Sequence, residues 1–200
     1  MQDKALLFVN DRDFSTPSAP LFRLLAIARG LVENGVFVYW FTLGREPIDE
    51  ITNDPFYKNI KFIKIGKQNK EIMRSRIVFY LYLRILELRL QPHLNNIAEH
   101  FKNIVCFTVG DDFWHLFNIV TVCKKKGIRV FHERTEYPLL NKKSLRQKFN
   151  VKLYLKYIVP RFDHIFVISN ALKHFFDAHV KLYNKKIPVS ILNMVVEPDR

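Results

Sequence analysis

Short apolar runs recur along the chain, separated by longer stretches in which apolar residues return at helical spacing. The runs are Ala5–Asn10, Val36–Leu43, Ile60–Ile65, Ile104–Val109, Ile128–His132, His164–Ser169 and Pro188–Leu192. Most are continuous rather than alternating, the pattern of strands covered on both faces, and their alternation with helices predicts βαβ units. The expected fold is α/β, with a doubly wound parallel sheet of about seven strands in one domain spanning residues 1–200.

The first helix is the best defined in sequence. Ser18 can cap it, Pro20 suits its first turn, Leu21, Leu24, Leu25, Ala28 and Leu31 make one face, and Asn34-Gly35 stops it. Two segments depart from the regular alternation. Residues 45–59 contain Pro47 and Pro55 and read as a loop or short helical turn, while 70–102 is long and contains Pro92, where a kink is expected. Ligands of open parallel sheets sit beyond the carboxyl ends of the strands. That rule directs attention to the loops 11–18, 110–114, 133–141 and 169–171.

Composition is that of an ordinary globular chain, with 48% hydrophobic residues, 26% charged residues and only 6 glycines, which excludes a low-complexity or linker-rich protein. The formal net charge of +13 is the outlying value and points to a polyanionic partner: nucleic acid, anionic lipid head groups or a phosphorylated substrate. Cys106 and Cys123 lie in apolar surroundings and read as small buried hydrophobes, which suits a reducing cytoplasm. The apolar stretch Ala5 to Val9 is too short for a signal-peptide core, and no uncharged run is long enough to span a bilayer. A soluble, cytoplasmic chain is expected, with peripheral attachment at the inner face of the cell membrane left open.

Four places could carry chemistry. The loop Asp11 to Ser18 offers the amino end of a helix to an anion, but it has no glycine and matches neither a phosphate loop nor a dinucleotide turn. Its Ser15 and Ser18 read equally as turn and cap residues. Asp111-Asp112 follows a strand and reads as a helix cap, with no metal site expected. The densest polar cluster is His132-Glu133-Arg134-Thr135-Glu136-Tyr137-Pro138, leaving the strand Ile128–Phe131 at its carboxyl end. Such a cluster offers acid, base and hydrogen-bonding groups, and mutual salt bridges are the competing reading. Finally, residues 141–162 are basic and aromatic, with Lys142, Lys143, Arg146, Lys148, Lys152 and Lys156 among tyrosines, phenylalanine and leucines. Lys148, Lys152 and Lys156 share a helix face, which is either a solvated face or one attracted to an anionic membrane.

Three marks occur in order: residues 132–138 above, then Asp163-His164-Ile165-Phe166-Val167-Ile168-Ser169, then Ile191-Leu192-Asn193-Met194-Val195-Val196-Glu197-Pro198-Asp199-Arg200. Together they resemble the N-terminal domain of a family 4 glycosyltransferase of the GT-B fold, glycosyltransferase group 1-like. The resemblance implies a Rossmann-like acceptor-binding domain and a C-terminal donor domain that holds the nucleotide-sugar. It also implies retaining transfer to a glycan or lipid-linked acceptor in cell-envelope polysaccharide synthesis. By position, His132 matches the active-site histidine of that family, while Glu133, Arg134 and Glu136 line the acceptor side. Ser169 matches a serine that opens the next helix beside the cleft, or caps that helix. Ser15, Thr16 and Ser18 stand where the family commonly has glycines. The family's donor domain has no counterpart in this sequence, so the chain is expected to bind no cofactor itself and to be inactive alone.

The competing reading is a non-enzymatic, basic Rossmann-like module for a polyanion, either nucleic acid or an anionic membrane. No recognised nucleic-acid motif supports the first of these, and no nucleic-acid partner is expected. A complete small enzyme of another Rossmann class would need the missing glycine fingerprint.

Overall fold

A computed structural model describes residues 2–10, 19–43, 53, 55–65, 76–138 and 144–193. Ser15, Thr16, Ser18, Lys142, Lys143 and the terminal motif from Met194 to Arg200 lie outside the described residues. The elements in chain order are β1 (Gln2–Asn10), α1 (Ala19–Glu33), β2 (Phe37–Leu43), a 3-10 turn (Pro55–Tyr57), β3 (Ile60–Ile65), α2 (Arg76–His100), β4 (Phe101–Val109), α3 (Phe113–Lys125), β5 (Arg129–Arg134), α4 (Leu145–Leu153), β6 (His164–Val167), α5 (Asn170–Lys181) and β7 (Val189–Ile191). Seven strands form one sheet in the order β3-β2-β1-β4-β5-β6-β7, the doubly wound arrangement expected from the sequence. The pairs β1–β2, β2–β3, β5–β6 and β6–β7 are parallel.

The chain forms two compact units, one within Met1–Val105 and one within Cys106–Asn193. In the first, β1 aligns Phe8 with Trp40 and Val9 with Phe41, and the Phe8 and Trp40 rings stack with centroids 4.6 Å apart. Trp40 continues toward Phe62 of β3, its register partner, at 6.0 Å. Against this sheet α1 buries Leu21, Leu24, Leu25 and Ala28, the helical spacing read from the sequence, while Leu31 is only half-buried. The helix ends where Gly35 turns left-handed at φ 74° and Asn34 Nδ2 donates to the Gly30 carbonyl at 2.7 Å. Helix α2 continues past Pro92 and buries Leu90, Leu94 and Ile97, and β4 follows it directly.

In the second unit, α3 buries Leu116, Ile119, Val120 and Cys123, and α5 buries Leu172, Phe176 and Val180 at every fourth position. Both helices start on side-chain caps: Asp112 Oδ1 accepts from His115 N at 2.8 Å, and Ser169 Oγ accepts from Leu172 N at 3.3 Å. Helix α4 opens on a reciprocal capping box between Ser144 and Gln147. It then runs into a π turn at Tyr154–Ile158 and a 3-10 turn at Val159–Arg161. Cys106 and Cys123 are free and buried, as their sequence context implied.

Candidate active site

Strand β5 does not stop at His132, as the apolar run suggested; it continues through Arg134, and His132, Glu133 and Arg134 are all buried in it. Polar residues remain in a covered strand only when their hydrogen-bonding groups are met inside the protein. Side-chain alternation places His132 and Arg134 on one face and Glu133 on the other.

His132 is fully buried, and both of its ring nitrogens have partners. Thr108 Oγ1, on β4, lies 3.0 Å from Nδ1, and the Tyr154 hydroxyl lies 2.9 Å from Nε2. Thr108 Oγ1 also lies 3.2 Å from the Phe131 carbonyl. With its single proton given to that carbonyl, Thr108 accepts from a ring protonated on Nδ1, and Nε2 accepts from Tyr154. Phe162 stacks flat on the imidazole, with centroids 4.3 Å apart and planes 6° from parallel. Burial, reinforced by the Arg134 cation, holds the imidazole pKa well below its ordinary value, and burial pushes the Tyr154 phenol upward. The imidazole is turned inward, and its surroundings favour the neutral form.

Arg134 Nη2 forms an ion pair with Asp111 Oδ2 at 3.2 Å. Asn150 of α4 joins the same corner, donating to the Asp111 carbonyl at 2.8 Å and accepting from Phe113 N at 3.1 Å. Arg134 Nε is a buried donor with no hydrogen-bond partner among the described residues. Thus the loop after β4, the end of β5 and α4 are tied together by side chains. Beyond Arg134, Thr135, Glu136 and Tyr137 are exposed, and Tyr137 meets Phe175 of α5 edge-on at 5.7 Å. Ser169, half-buried, acts as the α5 cap. Among the described residues, no group of three or more His, Cys, Asp or Glu side chains could hold a metal ion. Thr108, Asn150 and Tyr154 complete the site and had no distinguishing signal in the sequence.

The basic segment divides by burial. Arg146, Lys148, Lys152 and Lys156 are exposed, as are Leu145, Phe149 and Tyr157. Tyr154 is a core residue, whereas Tyr157 stands outside and meets Phe113 of α3 at 6.5 Å. Trp114 and Phe117, on either side of contacts to Phe113, extend the exposed aromatic surface.

No protein-family model and no curated protein matches the sequence. Solved structures do match its fold. UGT2 of Phytolacca americana, complexed with UDP-2fluoro-glucose and pterostilbene, has a TM-score of 0.62 at 10% identity, covering 96% of this chain and 53% of that one. HepE of Anabaena, in complex with UDP and glucose, has a TM-score of 0.60 at 9% identity, covering 97% and 45%. UGT71G1 of Medicago truncatula, complexed with UDP-glucose, has a TM-score of 0.52 at 12% identity, covering 98% and 52%. The chain thus shares a Rossmann-like α/β fold with GT-B glycosyltransferase structures and spans about half the length of those it matches.

Proposed function

We propose that the chain is the acceptor-binding half of a glycosyltransferase that uses a nucleotide-sugar donor. The observation behind this reading is the polar network at the carboxyl end of β5, in a fold shared with glycosyltransferases. There Thr108, Tyr154 and Asp111 hold a buried histidine and arginine in place while Thr135, Glu136 and Tyr137 face solvent. Glu136, with Thr135 and Tyr137, would contact acceptor hydroxyls. Glu133 and Arg134 support that edge from within, and His132 is a positioning residue for it. The finer proposal is retaining transfer to a glycan or lipid-linked acceptor in cell-envelope polysaccharide synthesis, with the donor held by a second domain of the same polypeptide.

The aromatic and basic face of α3 and α4 favours an anionic membrane as the surface on which such an acceptor is met. Exposed Phe149, Tyr157 and Trp114 beside Lys148, Lys152 and Lys156 combine interfacial anchors with charge. No described helix is long and apolar enough to cross a membrane.

The test is saccharide binding followed by amide chemical shifts. Titration with soluble oligosaccharides or lipid-linked saccharide head groups should perturb residues 111–112 and 135–137. Absence of any saccharide binding, together with salt-sensitive binding to duplex nucleic acid, would replace this reading with the polyanion-binding module.

A further inference from the structure

An open cleft of about 580 Å³ lies in the second unit, lined by Lys124, Arg161, Lys185, Lys186, Asp163 and Phe162 among others. These residues come from the end of α3 and from the segments just before β6 and β7. The cleft therefore sits at the amino ends of the strands, opposite to the carboxyl-end loops around Arg134 and Glu136. Its volume is in the range of small-molecule sites, roughly 300–1,000 Å³.

Four cations share this cleft with one carboxylate. Asp163 is already satisfied, accepting from Lys124 Nζ at 2.7 and 2.6 Å through its two oxygens and from Val130 N at 2.7 Å. Lys185 Nζ is held by the Pro160 carbonyl at 2.7 Å, a neutral partner. Arg161 donates to the Thr121 hydroxyl at 3.0 Å and rests over the Phe117 ring at 5.4 Å, also without a carboxylate. Lys186 is exposed. Among the described residues, Arg161, Lys185 and Lys186 form no ion pair, and all three line the cleft. Desolvation of the Arg161 guanidinium lowers its pKa, the direction expected of a cation packed without an anion. An arginine and two lysines lining one cleft supply the donor types that bind a phosphate or diphosphate, which accepts several charge-assisted hydrogen bonds at once. Pro160, Phe162 and Ile187 supply an apolar wall beside the charge.

We propose that this cleft binds a phosphate-bearing anion, at a site separate from the strand exit of β5. The proposal stands on the cleft alone and does not depend on the glycosyltransferase reading. Either a soluble phosphorylated compound or a phospholipid head group supplies the required chemistry.

The test is calorimetric titration of the whole chain with inorganic pyrophosphate at low salt, paired with sedimentation on phosphatidylcholine vesicles with and without phosphatidic acid. Saturable binding of one pyrophosphate, weakened about tenfold or more by Lys186→Glu and by Arg161→Gln, is the expected result. Lys148→Glu, on the α4 face, should leave pyrophosphate affinity unchanged. In a Lys148→Glu, Lys152→Glu, Lys156→Glu background, which removes the α4 face, vesicle binding that needs phosphatidic acid and is lost on adding Lys186→Glu, without pyrophosphate binding, assigns the site to a lipid head group. Circular dichroism of each variant separates loss of the site from loss of the fold, and Lys186, being exposed, can be replaced without disturbing the core. Failure of both probes to bind, or equal binding by wild type and Lys186→Glu, would overturn the proposal.

Discussion

Strands β2 and β5 are both covered by neighbouring structure, yet β2 buries large aromatic rings where β5 ends in three buried polar or charged residues. Strand β2 buries Trp40 and Phe41, and stacks Trp40 on Phe8. Strand β5 buries His132, Glu133 and Arg134, and holds the first and last of these with Thr108, Tyr154 and Asp111. An apolar interior is stabilised by area and shape, so it tolerates substitution in proportion to volume. A polar interior depends on its partners, and removing one leaves another buried group unpaired.

Substitutions should separate the two regimes. Trp40→Ala should have the largest effect, about 3–5 kcal/mol lost in urea denaturation, with Trp40→Phe recovering a large part because area is what matters there. His132→Ala should cost about 3 kcal/mol, from lost ring packing and the orphaned Tyr154 hydroxyl. Here filling the volume should not help: His132→Leu should remain destabilised until Thr108→Val and Tyr154→Phe are added, a non-additive recovery readable in a mutant cycle. If His132→Leu alone were as stable as wild type, the polar account of β5 would be wrong.

Acid should also distinguish the regions. The folded imidazole takes up its proton at lower pH than the unfolded one. Acidification below about 6.5 therefore protonates the unfolded chain first and favours it, by up to about 1.4 kcal/mol per pH unit. The stability due to neutral His132 is complete above that pH and declines as pH falls toward the depressed folded value. Thermal melts should show this slope diminished in the Thr108→Val, His132→Leu, Tyr154→Phe combination. Tyr154→Phe alone should cost about 1 kcal/mol, the worth of one buried hydrogen bond. The smallest effect on stability should come from Lys148→Glu, Lys152→Glu and Lys156→Glu together, within about 0.5 kcal/mol because all three are exposed. The same triple variant should lose sedimentation with anionic vesicles; retention equal to wild type would dismiss the membrane face.

The contrast also explains what could be read in the sequence. The seven strands were legible because parallel strands leave continuous apolar runs, and Ile60–Ile65 was found to the residue. Strand β5 was cut short because hydropathy cannot see that Arg134 has Asp111 waiting for it. The partners of His132 were hidden for the same reason: Thr108 and Tyr154 lie 24 and 22 residues away and meet it only through the fold. Tyr154 and Tyr157 look alike in sequence. The π turn, in which Val159 N–H reaches the Tyr154 carbonyl, accompanies an inward Tyr154 and an outward Tyr157. The capping roles of Asp112 and Ser169 were visible, being local. The cationic cleft was not, because separate segments assemble it at the strand ends that the ligand rule ignores.

The proposed positioning role of His132 requires an inward, neutral imidazole. Nitrogen-15 NMR of the imidazole across about pH 5 to 8 measures it directly. A neutral ring protonated on Nδ1, with shifts that stay constant through that range, is the predicted result. A titration midpoint near the ordinary value of about 6.5 would contradict it and return His132 to the solvent-facing side of the site.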